Sequence, residues 1–93
     1  MANYEILYII SPSVSEEERE ALVAKFKAYV ETNNGTVAGI DKWGIRKLAY
    51  PIKFKNEGFY VLMNYSCEPK TSYDMEMLMN ITDGILRSIV VRK

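Results

Sequence analysis

The amino-acid sequence predicts an α+β fold in which one four-stranded antiparallel sheet carries two helices on a single face. Two observations lead there. Four extended runs and two helical ones follow in the order β-α-β-β-α-β, separated by clusters of Pro, Asn, Asp and Gly. The 93 residues form one domain, 1–93, with a core of modest size and no room for a second.

Tyr4 to Ile10 is a β-branched and aromatic run halted by Ser11-Pro12, the pattern of a strand buried on at least one face. Ser15 followed by Glu18 forms a capping box, and Glu16 and Glu17 lie where the helix dipole favours acids. Leu22, Phe26, Tyr29 and Val30 then recur at helical spacing. That helix is expected to stop at Asn33-Asn34-Gly35, with Gly35 in the left-handed position.

Thr36 to Ile52 reads as extended. Val37, Ile40, Trp43, Ile45, Leu48 and Tyr50 alternate imperfectly, and bulges at Gly39 and Gly44 would restore the phase. A hairpin turn is expected near Lys55-Asn56-Glu57-Gly58, followed by a strand from Phe59 to Cys67. Pro69 opens a second helix bearing Tyr73, Met75, Leu78 and Met79, with Met77 nearer the rim. After Thr82-Asp83-Gly84, Ile85 to Arg92 forms the last strand. Tyr8, Tyr29 and Tyr65 read as packing residues whose hydroxyls reach the core boundary.

Right-handed crossovers place both helices on one face, which gives the ferredoxin-like split βαβ arrangement. Its strand order puts the second and fourth strands at the edges. The charge distribution then acquires a geometry. Residues 1–40 carry six acids and three bases, 41–56 one acid and five bases, 57–83 five acids and one base, and 84–93 three bases. A net charge of zero therefore conceals two basic edges. Binding to nucleic acid responds to such local potential.

The candidate contact residues for RNA or a protein partner are Lys42, Trp43, Arg46, Lys47, Tyr50, Lys53 and Lys55, with Arg87, Arg92 and Lys93 on the other edge. The competing reading is that Asp41, Lys42, Arg46 and Lys47 do no more than protect a long edge strand against aggregation, and Pro51 fits either view. On the sheet face away from the helices, alternation brings Leu7 and Ile9 beside Tyr60 and Leu62. An apolar patch of that kind marks a partner interface or a homodimer. Ile89 and Val91 join it only under one of the two phases open to the last strand.

The chain has no histidine and one cysteine, Cys67, so the usual zinc and copper ligand sets and an internal disulfide are excluded. A reducing, cytoplasmic location fits. Ile6 to Ile10 is too short to span a bilayer. No cofactor, metal, membrane or small-molecule substrate is expected, and no catalytic residue. The loop Ile10 to Ser15 has serines but neither Gly nor a base to cradle phosphate, unlike the acyl-phosphate hydrolases of similar architecture.

Gly44-Ile45-Arg46-Lys47-Leu48-Ala49-Tyr50-Pro51-Ile52 closely resembles the second strand of the bacterial small-subunit ribosomal protein six family. The resemblance extends along the chain through Tyr4-Glu5, Pro12, Gly35, Gly58, Ile81, Asp83, Arg87 and Val90-Val91. It implies a ferredoxin-like fold, no enzymatic activity, contact with the central domain of small-subunit ribosomal RNA, and pairing with ribosomal protein eighteen. The family's basic residues at positions two and three, and its Arg before the first proline, are here Ala2, Asn3 and Ser11. Amino-terminal RNA contacts are therefore not carried over, nor are those of the acidic carboxyl extension of some members.

Two other classes share the element order. An RNA-recognition motif would need a leading base, a small fourth residue and a final aromatic in Glu57 to Asn64, and these are missing. A homodimeric metabolite-binding regulatory domain remains open on pattern alone.

Overall fold

The computed structural model describes residues 2–52 and 55–93, without the side chains of residues 49–52. Strand β1 (Ala2–Ile10), helix α1 (Glu16–Thr32), strands β2 (Thr36–Ile52) and β3 (Lys55–Cys67), helix α2 (Pro69–Ile81) and strand β4 (Ile85–Arg92) follow in the expected order. They form one antiparallel sheet ordered β2-β3-β1-β4, so the basic strands β2 and β4 are its edges. The expected hairpin turn at Lys55–Gly58 is displaced. Lys55 already pairs with Ile52, Glu57 with Lys47 and Gly58 with Arg46, which puts these residues inside the ladder.

Helix α1 begins as its sequence dictates, with the Ser15 hydroxyl accepting a hydrogen bond from the Glu18 amide at 3.2 Å. Its end differs from expectation. The left-handed residue is Asn34, at φ 66°, one position before Gly35. The Gly35 amide donates to the Val30 carbonyl at 2.8 Å and the Asn34 amide to Glu31 at 3.3 Å, the paired bonds of a Schellman motif. Gly35 is required for space instead: a Cβ there would fall 2.8 Å from the carbonyl oxygens of Val30 and Ser66.

The helices cover one sheet face. Ile6, Tyr8 and Ile10 of β1 and Val61, Met63 and Tyr65 of β3 point into it and are buried against Phe26, Val30, Met75 and Met79. Tyr8 and Phe26 meet edge to face with ring centroids 5.6 Å apart. On α2 the buried positions are Ser72, Met75 and Met79, so the core stripe runs through Ser72 and leaves Tyr73 outside, 63% exposed. Leu78 is half-buried and Met77 exposed, as the helical phase predicts.

Of the three tyrosines with hydroxyls expected at the core boundary, Tyr8 and Tyr65 differ from each other. Tyr65 Oη hydrogen-bonds Ser72 Oγ at 2.8 Å, which explains a serine in the core stripe. Tyr8 is fully buried and its hydroxyl has no hydrogen-bond partner. Burial pushes both phenols up: Tyr65 to about 12, against the lowering effect of the Ser72 bond, and Tyr8 further still, with the Glu20 charge adding to the effect.

The unfolded chain therefore loses these two protons first as pH rises past the ordinary tyrosine value of 10.0. Stability is complete below that value and falls as pH climbs towards about 12, where Tyr65 titrates in the folded state. Removing the unpaired hydroxyl in Tyr8→Phe should stabilise the fold by about 1 kcal/mol at neutral pH and make the alkaline loss shallower. Urea unfolding of both proteins across the alkaline range measures both effects. A variant that is less stable, with an unchanged slope, would contradict this account of Tyr8.

Candidate functional site

Of the three register shifts along strand β2, the first two fall at Val37/Gly39 and Lys42/Gly44. Each inserts one residue, so Val37, Ile40 and Ile45 keep the helix-side phase although their spacing departs from two. At the second shift Gly44 adopts φ 86°, a left-handed conformation that suits glycine. Trp43 is thereby aimed at the face away from the helices. Its indole stacks on Tyr60 with centroids 6.2 Å apart and planes 6° from parallel, and it is 42% exposed. The Arg46 guanidinium lies 5.7 Å from the same ring centroid.

The neighbouring basic residues separate by face. Arg46 pairs opposite Gly58, in phase with Tyr60 and Leu62 on the open side, whereas Lys47 pairs opposite Glu57 on the helix side. Lys42 also points to the helix side and reaches Glu20 of α1 at 2.5 Å. Lys55 is half-buried opposite Ile52. The side chains of Tyr50 and Lys53 lie outside the described residues.

On the opposite edge, Arg87 pairs with Ile9 on the open face and Arg92 with Tyr4 on the helix side. Lys93 Nζ turns back over the open face to Asn64 Oδ1 at 2.7 Å and Glu5 Oε2 at 3.2 Å. Of the ten basic and aromatic candidates, the open face thus gathers Trp43, Arg46, Arg87 and Lys93. Lys42, Lys47 and Arg92 are directed elsewhere.

The open face also holds the apolar candidates. Leu7 pairs with Leu62 of β3 and with Ile89 of β4, and Ile9 pairs with Tyr60. Leu7, Tyr60 and Leu62 are half-buried, while Ile9 is only 6% exposed. Ile9 belongs to the right face but packs within it, because Gly58 has no Cβ and the Ile9 Cγ2 occupies that space. Ile89 and Val91, ambiguous in sequence, are fixed here by pairing with Leu7 and Glu5, and both are exposed. The deciding signal was Val90, whose pairing with Ile6 sets the opposite parity.

Among the described residues no group of His, Cys, Asp and Glu could hold a metal ion, and no helix is long and apolar enough to cross a membrane. Cys67 is buried, and burial holds its thiol above the ordinary range. The arrangement offers an apolar surface edged by guanidinium and ammonium groups, with an aromatic pair at one corner, suited to binding.

A family profile described as Ribosomal protein S6 matches residues 3–92. The small ribosomal subunit protein bS6 of Caldanaerobacter subterraneus subsp. tengcongensis is 46% identical over 92 residues, spanning 99% of this chain and 97% of that protein. Its counterpart in Thermoanaerobacter pseudethanolicus is 48% identical over the same shares. Among solved structures, 30S ribosomal protein S6 from Thermotoga maritima superposes with a TM-score of 0.92 at 35% identity, over 99% of this chain and 87% of that one.

The faces of β3 can be tested directly. Val61→Ala removes methyl groups from the closed side and should destabilise by roughly 2 to 4 kcal/mol. Leu62→Lys, on the half-exposed side, should cost less than about 1 kcal/mol. Chemical unfolding of the two variants compares them, and a larger loss for Leu62→Lys would invert the assignment.

Proposed function

The chain belongs to the ribosomal protein S6 family, and from that premise we propose that it is a non-catalytic constituent of the small ribosomal subunit, binding the central domain of small-subunit RNA jointly with ribosomal protein eighteen. Its location is then the ribosome in the bacterial cytoplasm. The observation that supports joint binding is the division of the basic candidates between two faces. Arg46 lies beside the apolar patch of Leu7, Tyr60 and Leu62, and Lys47 lies across the strand from it. Residues so placed cannot serve one contact.

The protein partner fits the open face, where burying Leu7, Leu62, Ile89 and the free side of Trp43 yields the hydrophobic gain that an interface requires. RNA fits the exposed Lys47 and Arg92, together with Lys53 and Lys55, as phosphate and sugar contacts that need no base-stacking platform. Trp43 and Tyr60 are already engaged with each other and with Arg46.

A protein of zero net charge makes few phosphate contacts, and Lys42 and Lys93 are already neutralised by Glu20 and Glu5. The chain alone should therefore bind central-domain RNA weakly, with the partner supplying part of the basic surface. Titrating labelled RNA with the single protein, and again with ribosomal protein eighteen present, tests this; nanomolar affinity at physiological salt without the partner would contradict it. Arg46→Ala should weaken capture of the partner protein, and Lys47→Ala should lower the salt dependence of RNA binding. Each should change stability by about 0.5 kcal/mol. Equal losses in both assays would remove the basis for two separate contacts.

A further inference from the structure

The two edges of the sheet are protected unequally. Strand β2 carries three register shifts, with Gly39, Gly44 and Pro51 along its length, so its outer edge is irregular. Strand β4 has one shift, opposite Ile9 and Ile10 at its start, and from Ser88 to Val91 it holds no charge, proline or glycine. A regular, uncharged edge is one that another strand can join.

The backbone of β4 is positioned for such pairing. The Lys93 amide donates to the Asn3 carbonyl at 2.9 Å, so residue 93 turns its polar groups towards β1. Antiparallel pairing alternates by residue, and Ser88, Val90 and Arg92 therefore turn theirs outward. Strand β1 is the sole neighbour of β4 in the sheet, and no described residue bonds these outward amides and carbonyls. They form a row about 14 Å long.

Apolar side chains flank the row on both faces. On the open face Ile89 and Val91 are exposed, and Ile89 continues the patch of Leu7 and Leu62. On the other, the Ser88 hydroxyl donates to Asn80 Oδ1 at 3.3 Å, so the Asn80 side of α2 overlooks β4. Tyr73 and Met77 stand seven and three residues before Asn80 on that same side, and both are exposed.

Backbone donors and acceptors in register call for a polypeptide strand. A second copy of β4 is disfavoured, because residues 84–93 hold three bases and no acid, and two such strands side by side would crowd like charges. The continuity of Ile89 with the open face points instead to the chain that covers that face. We propose that an extended segment of the protein partner adds to the sheet as a fifth strand, paired with the outward backbone groups of Ser88, Val90 and Arg92. One row of its side chains then lies beside Ile89 and Val91, and the other beside Tyr73 and Met77. This rests on the reading that a protein covers the open face, and it supplies the manner in which that protein is held: main-chain pairing for affinity, alternate side chains for selectivity.

Residue-resolved amide hydrogen exchange of the full chain, alone and with ribosomal protein eighteen, tests this. In the free protein the amides of Ser88, Val90 and Arg92 should exchange rapidly, and the partner should slow each by at least about tenfold. Ser88→Pro removes one outward donor and leaves the pairing with β1 in place. It should weaken partner binding by about tenfold, the worth of one good hydrogen bond, while the inward amides of Ile89 and Val91 stay protected. Ser88→Ala keeps that donor and should bind as the wild type does. Binding that shields Leu62 but leaves the three outward amides fast overturns the fifth strand and leaves the open-face reading intact, whereas no binding at all removes both. Slowing produced by raising the concentration of the chain alone, or by central-domain RNA alone, also overturns the proposal, since a second copy or nucleic acid would then be the occupant.

Discussion

The antiparallel ladder between β1 and β3 runs without interruption from Ala2 opposite Cys67 to Ile10 opposite Phe59, and it sets the phase of every other strand. Because side chains alternate with a period of two, an unbroken central pair leaves no freedom about which residues face the helices. Tyr4, Ile6, Tyr8 and Ile10 must go in together with Val61, Met63 and Tyr65. Leu7, Tyr60 and Leu62 must then go out. A slip of one residue would expose the core set and bury Glu5 and Asn64, so the hydrophobic effect that holds the core also fixes the composition of the open face.

The edges have more latitude, and they use it. Strand β2 shifts register three times along β3, and β4 shifts once opposite Ile9 and Ile10, changes a central strand would not tolerate. The consequence for chemistry is local. The left-handed turn at Gly44 brings an indole beside Tyr60 and a guanidinium above it, while Lys42, one residue before the shift, is turned back towards Glu20. Neighbouring bases in one strand thus come to have different electrostatic surroundings. Their bulged edge is also poorly shaped to accept a foreign strand.

Much of this was legible in the sequence. The element order, the capping at Ser15, the proline opening of α2 and the need for bulges near Gly39 and Gly44 rest on local stereochemistry, which a sequence displays directly. The misplacements came where a local rule competed with contact at a distance. Gly35 looked like a left-handed cap, but Asn34 takes that conformation and Gly35 yields space to Ser66, a residue 31 positions away. Ile9 looked accessible by alternation, yet the missing Cβ of Gly58 lets it sink into the sheet. The burial of the Tyr8 hydroxyl without a partner, and of Ser72 through its bond to Tyr65, depend on tertiary packing, which no periodicity encodes.

The central position of β1 bears on how the molecule is made. Synthesis delivers this strand first, yet its two neighbours are β3, at Lys55–Cys67, and β4, at Ile85–Arg92. Until those segments emerge, Ile6, Leu7, Ile9 and Ile10 have no sheet to join. The early nascent chain can form α1, and later the β2–β3 hairpin, but the strand that organises the core waits for the last one. The sheet therefore cannot close before β4 has emerged. In the interval, the apolar side chains of β1 lack the neighbours that bury them.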